Sequence, residues 1–169
     1  KCIALAGNYS EHIKEASVTR GFNVGLSDSP RLTTVPRPFI MPTTAVAGPG
    51  DEIAWPVYSE TIDYEIELAV VIGKACKAID EQEALSYVFG YTIANDVSAR
   101  DLQLADGQWV RGKSLDTFCP LGPVLVTTDE IPDPQALRIR CWLNDKLVQN
   151  SNTSEMIFSV AKLVCFCSH

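Results

Sequence analysis

Ile62-Asp-Tyr-Glu-Ile-Glu-Leu-Ala-Val-Val-Ile72 is the clearest strand in the chain. Side chains alternate across a strand, so residues two apart share a face. One face carries Ile62, Tyr64, Ile66, Leu68, Val70 and Ile72 and suits a core. The other carries Asp63, Glu65, Glu67, Ala69 and Val71, a row of like charges running into an apolar stretch. Like charges repel, and an unpaired carboxylate is costly to bury. Either the row faces solvent, or a cation sits among the carboxylates and reverses the sign of the cost. A hard divalent ion such as Mg²⁺ takes oxygen ligands. The best third carboxylate is Asp96, at the end of a strand over 90–95, although Asn95-Asp96 also reads as a helix cap.

Working outward, residues 1–6 read as a short buried strand. Asn8 with Glu11 three residues on has the capping-box pattern, which predicts a short helix over about 10–17. Residues 21–42 are rich in Gly, Pro, Ser and Thr and read as a loop, and Gly48-Pro-Gly-Asp51 as a turn. A helix capped by Asp80 is expected over 81–88, and a short helix after Ser98-Ala-Arg-Asp101. Strands are expected over 120–127 and 137–143, with Asn144-Asp145 as a hairpin turn. Over 154–167, Met156, Ile157, Val160, Leu163, Val164 and Cys167 share a helical face. Strands dominate and helices are few and short, so the fold class is mostly β (α+β), in a single domain over 1–169.

Of the 169 residues, 46% are hydrophobic and 21% charged, ordinary for a globular protein. No apolar run approaches the roughly 20 residues of a membrane span. The formal charge of −7, with no basic cluster, argues against nucleic acid as a partner. The six cysteines form no CxxC pair and read as buried thiols in a reducing compartment. The cytoplasm is expected, with the mitochondrial matrix as the other such compartment.

His12 and Glu15 are three apart on the first expected helix. They are either an exposed pair without a role or an imidazole oriented by a carboxylate, a base suited to activating water.

The order of segments adds to these single signals. Gly7-Asn-Tyr-x-x-His-x-x-Glu15, Asp63-Tyr-Glu-x-Glu-Leu-Ala-Val-Val-Ile-Gly73 and Gly90-Tyr-Thr-x-x-Asn-Asp-Val-Ser-Ala-Arg-Asp101 occur in sequence. Gly112-Lys-Ser-Leu-Asp116, Cys119-Pro-Leu-Gly-Pro123 and Gln149-x-Ser-Asn-Thr153 follow. The chain thus resembles the fumarylacetoacetate hydrolase family along almost its whole length. The resemblance implies a β-sandwich roll and a homodimer. It implies a Mg²⁺, Mn²⁺ or Ca²⁺ ion held by Glu65, Glu67 and Asp96, and a catalytic dyad of His12 and Glu15. Lys113 falls on the family's active-site lysine, and Arg100 and Gln103 on substrate contacts. The implied activity is cleavage of a C–C bond in a small 2-oxo acid or 1,3-diketo acid through a metal-stabilised enolate. The other readings are isomerisation or tautomerisation on the same site, and a non-catalytic metal- and dicarboxylate-binding module.

Two departures bear on the substrate. Met41, in Phe39-Ile-Met-Pro42, stands where the family usually has a pocket-shaping lysine, and the segment 17–34 is longer than in compact members. The family also continues into a Pro-Gly-Asp strand and a Thr-Gly-Thr-Pro loop. Both ends therefore read as cut, and a protein ending at His169 is expected to be inactive and poorly soluble.

Overall fold

The computed structural model of the chain describes residues 1–10, 35–106 and 108–169. The expected dyad of His12 and Glu15, the helix around them apart from Ser10, and the segment 17–34 lie outside the described residues. Within them the fold is the mixed, β-rich one expected, with ten strands and three short helices.

Strands β3 (Val46–Ala47), β8 (Cys119–Thr127), β6 (Val88–Asn95) and β5 (Ile66–Ile72) form a four-stranded sheet in the order β3-β8-β6-β5. The β3–β8 pair is parallel and the others are antiparallel. Strand β1 (Cys2–Leu5) pairs with β2 (Pro38–Met41), so part of the segment expected as loop is a strand. Its register, Cys2 opposite Met41, puts Met41 into an apolar cluster with Ala4, Ala45 and Cys119. Packing outweighed the weak local periodicity there.

The stretch 62–72 is not one strand. It breaks at Tyr64-Glu65 into β4 (Ile62–Asp63) and β5, and β4 pairs with β7 (Ser98–Ala99). The antiparallel pair β5–β6 thus continues as β4–β7 across a joint formed by Tyr64-Glu65 on one side and Asp96-Val97 on the other. The apolar face behaves as expected along most of its length. Leu68 and Val70 pack on Ile79, Ala84, Val88, Tyr91, Val160 and Val164, and Ile62 on Val97, Ala99 and Phe118. Ile72, at the strand's end, is exposed.

Three helices complete the description: α1 (Arg100–Asp106), α2 (Val110–Lys113) and α3 (Val160–Ser168). The helix expected over 81–88 is only a 3₁₀ turn at Ala84–Tyr87, and Asp80 contributes a backbone carbonyl to Glu83 N–H rather than a side-chain cap. The helix expected over 154–167 is split. Phe158 N–H donates to Asn8 Oδ1 at 2.9 Å, Asn8 Nδ2 donates to the Phe158 carbonyl at 3.1 Å, and Ile157 N–H donates to the Asn8 carbonyl at 2.8 Å. Those are backbone groups a continuous helix would need for itself, so α3 starts only at Val160, capped by Ser159 Oγ. Cys167 then falls on its outer side.

The hairpin of β9 (Arg138–Leu143) and β10 (Lys146–Asn152) forms as expected, with φ of 48° at Asn144 and 63° at Asp145. Both central residues are left-handed, the conformation of a tight hairpin turn that Asn and Asp tolerate. All six cysteines are free, but only Cys119 is fully buried, which corrects the expectation of uniformly buried thiols. Among the described residues no helix is long and apolar enough to cross a membrane.

Candidate metal centre

At the joint, the regular ladder gives way to bonds that draw acidic residues together. Asp96 N–H donates to the Glu65 carbonyl at 2.8 Å, and Glu65 N–H donates to Asn95 Oδ1 at 3.0 Å. Asp96 therefore does not cap a helix; its backbone is pinned beside Glu65, and the residue is 4% exposed. Oxygen atoms of Glu65, Glu67 and Asp96 all lie within 4.8 Å of one another. The solvent-facing reading of the row fails for Glu65 and Glu67, which are partly buried.

Two cations serve this cluster. Arg100, at the start of α1, donates from Nε and Nη2 to Asp63 Oδ2 at 2.9 and 2.7 Å and from Nη2 to Glu65 Oε1 at 2.5 Å. Its Nη1 donates to Gln103 Oε1 at 2.9 Å, one helical turn on. Lys113, at the end of α2, is 2% exposed and is among the largest fully buried side chains of the described residues. Its ammonium donates to Glu65 Oε2 and, at 2.7 Å, to Asp96 Oδ2, with the Phe39 ring centroid 5.9 Å away. Gly112 makes this reach possible. A Cβ there would lie 2.8 Å from Gln103 N and 2.9 Å from the Ala99 carbonyl oxygen, so any side chain would push α2 off α1.

Among the described residues four carboxylates (Asp63, Glu65, Glu67, Asp96) meet two cations, an excess of two negative charges when all are ionised. Burial, then the charges of Asp96 and Glu65, push the Glu67 carboxyl up to about 8. Burial also raises Asp96, to about 6, against the opposing pull of Lys113. Burial works against the charged form of Lys113, but Glu65 and Asp96 outweigh it and its pKa is raised. Asp96 Oδ1 is buried and accepts no hydrogen bond, although a buried carboxylate oxygen left bare is costly. Three clustered carboxylates and, among the described residues, a buried carboxylate oxygen without a hydrogen bond fit a hard divalent cation.

Of the residues singled out in the sequence, the structure brings together Glu65, Glu67, Asp96, Lys113, Arg100 and Gln103. Sequence reasoning missed Asp63, Tyr9 and Asn95 as members of the same neighbourhood. Asp63 shares the charged face of the strand, which was signal enough to group it with Glu65 and Glu67 but not to name Arg100 as its partner. The Tyr9 hydroxyl is buried without a hydrogen-bond partner and is raised in pKa by burial and then by the Glu67 charge. No local pattern in the sequence points it there.

The family model described as fumarylacetoacetate (FAA) hydrolase C-terminal matches residues 1–169. The chain is 43% identical over 169 residues to the mitochondrial oxaloacetate tautomerase Fahd2a of Rattus norvegicus, covering 99% of this chain and 50% of the relative. Among solved structures, it is 39% identical to a 5-carboxymethyl-2-hydroxymuconate delta-isomerase from Mycobacterium smegmatis, with a TM-score of 0.81, covering 98% of this chain and 60% of that one. It is 37% identical to a fumarylacetoacetate hydrolase from Exiguobacterium antarcticum, with a TM-score of 0.82, covering 99% and 56%. The chain thus spans half to three fifths of the length of these relatives. With a match along its whole length and a shared fold, the chain belongs to the fumarylacetoacetate hydrolase family.

Proposed function

We propose that this chain carries the cation site of an enzyme that acts on a small 2-oxo acid or 1,3-diketo acid, with Glu65, Glu67 and Asp96 as ligands. The single observation that supports this best is their convergence around the bare, buried Asp96 Oδ1. Mg²⁺ is the expected ion, with Mn²⁺ or Ca²⁺ as substitutes of similar ligand preference. A bound divalent cation supplies Lewis-acid polarisation of a substrate's carboxylate and keto oxygens.

The chain's own residues supply the rest. Lys113 carries a buried, dry positive charge beside the ligands and stabilises negative charge that develops on a substrate oxygen. Arg100 and Gln103, one turn apart and buried, present donors that orient a substrate carboxylate. In a hydrolytic cleavage His12, with Glu15 as the other member of the dyad that the family resemblance implies, would take a proton from water.

C–C bond cleavage, by acylpyruvate hydrolysis or oxaloacetate-type decarboxylation, is the leading reaction. Proton transfer without cleavage, an isomerase or tautomerase reaction, is the second reading, supported by the relatives named as a tautomerase and an isomerase. The test is turnover of oxaloacetate, acetylpyruvate, fumarylpyruvate and fumarylacetoacetate by the full-length protein, with Mg²⁺ and with EDTA. Glu67→Ala and EDTA are both expected to abolish it, and a Glu67→Ala variant with undiminished turnover refutes the site. His12→Ala separates hydrolysis, which collapses without it, from tautomerisation or decarboxylation, which only weaken.

A further inference from the structure

Glu65 and Glu67 are neighbours of one residue, Ile66, and the backbone of Ile66 decides how their side chains are presented. In the sheet order β5 is an outer strand, with β6 on one side only. On its other side Ile66 meets the Gln149 side chain of the β9–β10 hairpin. Ile66 N–H donates to Gln149 Oε1 at 2.9 Å, and Gln149 Nε2 donates to the Ile66 carbonyl at 2.9 Å. The amide thereby replaces the donor and acceptor that a neighbouring strand residue would offer. On the β6 side, Glu65 is held through its N–H by Asn95 Oδ1 and through its carbonyl by Asp96 N–H. The hairpin has a second hold nearby, Tyr64 Oη donating to the Val148 carbonyl at 3.4 Å.

This clamp sits at the first residue of β5, directly after the break between β4 and β5. A slip by one residue would send Glu65 and Glu67 to the opposite face. Gln149 itself is 83 residues away in sequence and contributes no charge to the cluster.

We infer that Gln149 is a positioning residue for the cation site: it fixes the Ile66 peptide groups and so the spacing of the Glu65 and Glu67 carboxylates. The inference rests on the cation site proposed above. Partners that orient metal ligands from outside the coordination shell are worth about 10- to 100-fold in affinity.

The experiment is Mn²⁺ binding to the full-length protein, followed by the paramagnetic resonance signal of free Mn²⁺, alongside thermal unfolding of each variant. Gln149→Leu keeps the bulk of the side chain and removes both hydrogen bonds; it is expected to bind about 10- to 100-fold more weakly while still folded. Asn150→Ala, exposed on the same hairpin, is expected to bind like the wild type. If Gln149→Leu does not fold, Gln149→Asn, whose amide is one methylene too short to span both groups, is read in its place with the same expectation. Undiminished binding by the Gln149 variant overturns the inference, and so does an equal loss in Asn150→Ala, which would assign the effect to the hairpin as a whole. Wild-type protein that takes up no Mn²⁺ overturns the cation site itself, and Glu67→Gln, expected to lose binding, marks that baseline.

Discussion

The two ends of strand β5 share one backbone geometry and one alternation, yet they are held in place by opposite means. At the far end Leu68 and Val70 lie against Val160 and Val164 of α3, and the contact is apolar and self-sufficient. Removing water from both surfaces favours that contact whatever the solution holds, at roughly 25 cal/mol per Å². At the near end, Glu65 and Glu67 stand among Asp96, Lys113 and Arg100, and burial there is unfavourable unless charges are matched. The apolar end needs no charge matching. The acidic end does, and its properties should therefore depend on pH, on cations and on each partner singly.

The largest break in that comparison is expected at Lys113. Lys113→Met keeps the length of the side chain and removes its charge from between Glu65 and Asp96. Turnover should fall about 100- to 1,000-fold, the usual cost of losing one preorganised charge-stabilising group, while cation binding persists. Steady-state rates together with Mn²⁺ titration check both halves, and unchanged turnover would remove Lys113 from the chemistry.

A second difference is in pH dependence. Glu67 and Asp96 hold their protons up to about 8 and about 6 in the folded chain, against ~4 for an unfolded carboxyl. Their folded pKa values lie above the unfolded ones, so the native state binds more protons between those limits and stability falls as pH rises. The EDTA-treated protein should therefore melt at progressively lower temperature from about pH 4 to about pH 8, the reverse of the usual carboxylate trend. Mg²⁺ should remove most of that slope, and Glu67→Gln should remove its upper part. A melting temperature in EDTA that rises or stays level across this range would contradict the buried carboxylate cluster.

The smallest effect is expected at the apolar end. Val160→Ala, at a site 1% exposed, should cost about 2 kcal/mol of stability. Because it lies away from the charged end, the loss should be the same with and without Mg²⁺. Chemical denaturation under both conditions measures this, and a cation-dependent loss would mean that the two ends are coupled through β5.

Much of the acidic end was legible because its signals are local. The Glu65-Ile-Glu67 spacing puts two carboxylates on one face by strand geometry alone, and Asp96 ends the neighbouring strand. Asn144-Asp145 was legible as a turn for the same reason, since its conformation depends on the two residues themselves. The broken strand and the late helix both lie where distant groups compete for the backbone. Residues 62–72 carry an unbroken alternation, yet Gln149, Asn95 and Asp96 take the peptide groups around Glu65 and Ile66 and divide the strand. Residues 154–167 carry an unbroken helical face, yet Asn8 takes the peptide groups of Ile157 and Phe158 and delays the helix. Asn8 and Gln149 do the same thing, each using one side-chain amide as a substitute strand, and neither advertises it in its neighbours.

By itself, then, the sequence determined the strand-rich class, the facing of the carboxylates along β5 and the hairpin turn, because each follows from residues within one or two turns of chain. Only the tertiary structure decided that Arg100 is shared between Asp63 and Glu65, that Lys113 is buried against Asp96, and that Tyr9 and Gln149 belong to the same neighbourhood. Those pairings join residues tens of positions apart, and their energy comes from desolvation and charge matching that exist only after the elements have packed.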